Sequence, residues 1–93
     1  MMNEEPRDQE MSLAGQLIQG RVEAVFRWGV IVDANLSRPG LIDALYIDDG
    51  DDYKAGQNVS CYLDSFDEQK DKFILRPPGQ IPLAERLRRA QGQ

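Results

Sequence analysis

A chain of 93 residues with 41% hydrophobic side chains has enough apolar material for one small core, and so for one domain. A net charge of −5, no histidine and a single cysteine exclude a strongly basic nucleic-acid binder, a disulfide framework within the chain and a zinc-finger-type metal site. No apolar run reaches the length of a membrane span, and the polar, acidic start resembles neither a signal peptide nor an arginine-rich transit peptide, so a reducing, cytoplasmic setting is expected.

The charge is unevenly spread. Acid is dense at Glu4, Glu5, Asp8 and Glu10 and again at Asp48, Asp49, Asp51 and Asp52. Base gathers at Arg21 and Arg27, at Lys70, Lys72 and Arg76, and at Arg86, Arg88 and Arg89. A local face of positive potential is compatible with the net negative sign.

Residues 1–14 form the first segment. Met1 to Ser12 has few large apolar residues and is expected as a mobile tail. The stretch from Gly15 to Asn35 organises the rest of the chain. Ile18, Gly20, Val22 and Ala24 share one parity, as on the buried face of a long first strand, about Gly15 to Phe26. Gly20 on that face lets the strand coil or lets another backbone approach. A hairpin turn near Arg27 and Gly29 leads to a second strand, about Trp28 to Ala34, rich in β-branched residues.

Asn35 to Gly40 reads as a turn, ending in Pro-Gly. A third strand spans about Leu41 to Ala44. Leu45-Tyr46-Ile47 reads as a short helical turn plugging one end of the core, followed by the acidic loop Asp48 to Asp52. That loop lacks the alternating ligand spacing and closing glutamate of a calcium loop, so a solvated loop is expected, with no metal and no other cofactor. A fourth strand, about Asn58 to Phe66, alternates Val59, Cys61 and Leu63 with polar residues. Cys61 therefore reads as a small buried residue.

After a charged turn from Asp67 to Asp71, a fifth strand covers about Lys72 to Arg76. Residues 77–93 begin with Pro77-Pro78-Gly79, which stops the sheet, and continue as a short basic helix from Pro82 to Ala90 with Leu83 and Leu87 on one face. Five short strands, the first long and curved, with the widest gap between the third and fourth, predict an all-β, five-stranded OB-fold barrel over residues 15–76 with a short C-terminal helix. Val22, Val30, Val32, Leu41, Val59, Cys61 and Leu63 are expected in its core.

Gly15-x4-Gly20-x-Val22, Trp28-Gly29-Val30-Ile31-Val32-Asp33, Gly40-Leu41-Ile42, Ala55-Gly56-Gln57-x-Val59, Asp67 and Ile74-Leu75, in this order and spacing, resemble an S-one-type RNA-binding domain, the OB-fold module of a ribosomal small-subunit protein family. The resemblance implies an RNA surface built from two aromatics, a histidine, an acid and a base. The first aromatic falls on Trp28, the second on Ile31, the histidine on Asp43, the acid on Asp67 and the base on Lys72. Ile31 has no ring to stack, and an uncompensated carboxylate at Asp43 would repel phosphate. Trp28 as one platform, with Arg21, Arg27 and Lys72 around it, implies weak binding of single-stranded RNA with little sequence preference.

Two readings of Trp28 remain open here: its parity with Val30 and Val32 favours burial, and the resemblance favours the surface. Two readings of function remain open with it. One is a non-catalytic nucleic-acid-binding module. The other is an acidic protein-interaction module on the same fold, meeting a basic protein partner of the translation, transcription or RNA-decay machinery around Asp43 and the 48–52 loop. No nucleophile is paired with a base and no phosphate-cradling glycine loop is present, so an enzyme is not expected.

Overall fold

The computed structural model describes residues 9–48, 50–80, 85 and 88. Five strands dominate it: β1 (Leu17–Phe26), β2 (Gly29–Asp33), β3 (Gly40–Asp43), β4 (Asn58–Asp67) and β5 (Lys72–Arg76). They form one sheet in the order β1-β2-β3-β5-β4, which closes when β4 pairs back onto β1. All neighbours are antiparallel except β3 and β5. The strand order is OB-like.

β1 serves two sides, as its length suggests. Its first half, Leu17 to Arg21, pairs with β4, and its second half, Arg21 to Phe26, pairs with β2. Gly20 stands next to Arg21, where the two pairings meet. A Cβ there would lie 2.5 Å from a methyl of Val32 and 3.2 Å from the Asp33 carbonyl oxygen. The strands can close this tightly only over a bare backbone.

Two bulges punctuate the ring, one at Glu23 between Val22 and Ala24 and one at Asp64 between Leu63 and Ser65. Each inserts one unpaired residue and re-aims the strand beyond it. At Asp64 the result is a polar cluster at one end of the core. Asp64 accepts a hydrogen bond from the buried Tyr46 hydroxyl at 3.0 Å and pairs with Arg76 at 3.0 Å. The Arg76 guanidinium in turn lies 4.9 Å from the centre of the Tyr62 ring and donates to the Gln80 carbonyl at 2.7 Å. A phenol sealed in an apolar core needs such an acceptor, because an unpaired hydroxyl there costs about 1–3 kcal/mol.

The core is Val22, Val30, Val32, Ile42, Tyr46, Cys61, Leu63, Phe73 and Leu75. Burying each aliphatic or aromatic member contributes about 1.5–3 kcal/mol. Tyr46 plugs the barrel from a 3-10 turn at Ala44–Tyr46, as the apolar trio suggested, while its neighbour Leu45 points to solvent. One core expectation needs correction, and one is met on an unexpected side of the sheet. Val59 is only half-buried and packs against the core from its edge. Leu41 is buried, but on the outside of the barrel: it pairs with Ile31 and Ile74, while the core residues Val30, Ile42 and Leu75 occupy the alternate positions.

The segment expected as a free tail makes contacts where it is described. Met11 and Leu13, in a 3-10 turn, pack against the core. The Glu10 carboxylate accepts from the Ser37 backbone N–H at 2.7 Å and its hydroxyl at 2.6 Å. Residues 1–8 lie outside the described residues, as does the expected C-terminal helix apart from Glu85 and Arg88.

Candidate nucleic-acid interface

The outer face of β2, β3 and β5 is set by the register. Ile31, Leu41 and Ile74 form one row across it, half-buried or buried. Gly29 and Asp43 form the next row. Gly29 keeps this floor low: a Cβ there would sit 2.6 Å from the Ile42 carbonyl oxygen and 2.8 Å from a Leu41 methyl. Leu41 thus reaches under the turn that carries Trp28.

Trp28 lies in the two-residue β1–β2 turn, before β2 begins, so strand parity does not govern it. It is 53% exposed, and Phe26 across the turn is 46% exposed. Their rings stack with centroids 4.7 Å apart and planes 4° from parallel. This geometry covers one face of the indole and fixes the other. Trp28 lines a cleft of about 510 Å³ together with Leu41, Asp43, Ala44, Lys70 and Lys72. Phe26 instead lines a second, smaller cleft of about 340 Å³ with Arg27, Asp48, Asp51, Asp52 and Tyr53 among its walls. The stacked pair is therefore a partition between a lysine-bearing side and an aspartate-rich side. Burial is the larger cause of a raised Tyr53 hydroxyl pKa, and Asp51 and Asp48 push it the same way, which records the negative potential on the second side.

The residues singled out in the sequence do not all meet. Trp28, Asp43 and Lys72 share the first cleft. Ile31 is on the same outer face, one row away. Asp67 shapes the turn between β4 and β5. Its Oδ1 accepts from the backbone N–H groups of Gln69 at 3.0 Å and Lys70 at 3.1 Å, and it pairs with Lys72 across the strands. Arg27 falls on the aspartate side of the partition. Arg21 pairs with Asp33 and Asn58, roughly 16 Å of strand from Phe26, and its Nε donates to the Gly56 carbonyl at 3.4 Å. Neither arginine joins Lys72.

Two contributors were missed. Lys70 enters the cleft from the β4–β5 turn, where no periodicity marks it. Phe26 was visible only as a strand-end residue, although two aromatics flanking Arg27 were a signal for a cross-turn stack. One expectation is corrected outright: Asp43 is not an uncompensated charge. Its Oδ2 lies 3.7 Å from the Lys70 ammonium, and its Oδ1 accepts from the Leu45 backbone N–H at 2.9 Å, capping the turn that delivers Tyr46.

Among the described residues, no group of three or more carboxylates or thiols is arranged to hold a metal ion. No described helix is long and apolar enough to cross a membrane. Chemically, the first cleft offers a flat aromatic wall, an aliphatic floor, two ammonium groups and one carboxylate.

No family model matches the chain, and no curated protein matches it in sequence. Solved structures do share its fold. An uncharacterised protein of Methanocaldococcus jannaschii superposes with a TM-score of 0.58 at 18% identity, over 88% of this chain and 99% of that one. A chain of the a/eIF2alpha–aDim2p–rRNA complex from Pyrococcus horikoshii gives 0.59 at 15% identity, over 84% of this chain and 51% of that one. A multidomain protein with nucleic acid binding domains from Streptococcus pneumoniae gives 0.61 at 13% identity, over 99% and 36%. At these identities the likeness is one of fold.

Proposed function

We propose that this chain is a non-catalytic nucleic-acid-binding module that takes single-stranded RNA across the outer face of β2, β3 and β5. The observation that carries the reading is the exposed indole of Trp28, stacked on Phe26 on one side and lining the lysine-bearing cleft on the other. A base stacks on the exposed ring while Lys70 and Lys72 meet phosphate. Two similar folds belong to an rRNA complex and to a protein with nucleic acid binding domains, which supports the same reading. One platform and two cations make the binding weak, and neither the ring nor the ammonium groups by themselves distinguish strongly between bases.

The reading is tested by titrating labelled octaribonucleotides at low salt. Association is expected, and Trp28→Ala is expected to weaken it by about 1–3 kcal/mol, the value of one base–aromatic stack. No association under those conditions would end the proposal. The second cleft, with Val25, Phe26 and Ile47 beside Asp48, Asp51 and Asp52, favours a second reading in which a basic protein docks there. That partner would be lost on Asp51→Lys with RNA binding retained.

A further inference from the structure

We propose that Asp43 reads the base that stacks on Trp28, selecting bases that carry an exocyclic amino group over uracil. The proposal rests on the RNA reading above and concerns one nucleotide position within it.

Asp43 and Trp28 line the same cleft, so a base lying flat on the indole presents its edge to the walls that include this carboxylate. Only one side of the indole is available for this, because Phe26 covers the other. A carboxylate is an acceptor only, with about four lone-pair sites. Leu45 N–H occupies one site on Oδ1. The Lys70 ammonium stands 3.7 Å from Oδ2, longer than a close charged hydrogen bond of about 2.7–2.9 Å. Asp43 therefore keeps acceptor capacity while already held in one orientation by its cap.

The edges of the four bases differ in what they offer such an acceptor. Guanine presents N1–H and the N2 amino group side by side, and its O6 suits a lysine ammonium. Cytosine and adenine each present one amino group. Uracil presents a single N3–H between two carbonyl oxygens, and both oxygens are repelled by the carboxylate. Lys70 and Lys72 can meet any carbonyl or phosphate and do not discriminate. The carboxylate is the discriminating group, and the expected order places guanosine first and uridine last.

The test uses the full chain and labelled uridine octamers in which one central residue is guanosine, cytidine, adenosine or inosine. The guanosine octamer is expected to bind roughly tenfold more tightly than the all-uridine octamer, as for a two-point base contact. Inosine keeps O6 and N1–H but lacks the amino group, and is expected to lose most of that gain. Asp43→Asn keeps an acceptor for Leu45 N–H and adds a donor, so the guanosine-to-uridine ratio should fall to within about twofold. Equal affinity of every octamer for the unaltered chain would overturn the proposal and leave the RNA reading standing. A ratio unchanged in Asp43→Asn would overturn the assignment to this residue. No binding by any octamer would overturn both readings together.

Discussion

Trp28 and Cys61 divide the work of single residues between the two faces of the barrel. The indole stands outside; the thiol is sealed within, where burial pushes its pKa up to about 11. At neutral pH the thiol is therefore protonated and inert toward alkylating agents. The same burial carries a stability consequence. Well below pH 9 the thiol is protonated in both the folded and the unfolded chain. Between about 9 and 11 the unfolded chain gives up the proton first, so the folded state loses ground as pH rises. The loss is of the order of 2 kcal/mol across that window. Tyr53, with its pKa also raised by burial and by Asp51, adds in the same direction at higher pH. Urea unfolding from pH 8 to 10.5 should show this decline, and Cys61→Ala should flatten it while lowering stability at pH 8. Parallel profiles for the two proteins would refute the account.

At the scale of elements, the β4–β5 turn and the start of β5 supply the cations, Lys70 and Lys72 in turn. Asp67 holds the turn by accepting from two successive backbone N–H groups, a side-chain imitation of a turn. Asp67→Ala should lower stability by about 1 kcal/mol and weaken RNA binding by releasing Lys70 and Lys72 from the cleft. Asp67→Asn keeps the accepting oxygen and should restore both. An alanine variant that binds oligonucleotide normally would show that the turn does not position the lysines.

Elements were legible in the sequence where alternation runs unbroken: Cys61 and Leu63 marked the inward face of β4, and Val30 and Val32 that of β2. Alternation carries no information across a bulge or a turn, which is why the places of Asp64, Trp28 and Lys70 emerge only in three dimensions. It also cannot say which side of a sheet is the inside, and Leu41 is buried on the outer side. The Glu10 contact to Ser37 joins residues far apart in the chain, and no local pattern announces it.

For the whole molecule, the balance of long and short range decides how RNA would be met. The net charge of −5 gives no attraction at a distance. Among the described residues, the cations placed beside the open indole are the two lysines of its cleft, on one side of the aromatic partition. Affinity should therefore fall with salt on a shallow slope. Replacing Lys72 and then Lys70 by glutamine should reduce that slope by about 0.7 per lysine, the value for single strands. Equilibrium titrations between about 20 and 200 mM salt measure it directly, and an unchanged slope in the double variant would remove both lysines from the interface.

Trp28 is the only tryptophan in the chain, and it stands at the rim of the cleft outside the packed interior. Its fluorescence is therefore an optical channel assigned to one place. Unfolding breaks its stack on Phe26 and solvates the covered half of the ring, so it changes the emission too, and a base laid on the open face quenches it. Wherever circular dichroism shows the chain to stay folded, intensity at the emission maximum thus follows occupancy with no attached dye, and the two signals can be recorded in one cuvette.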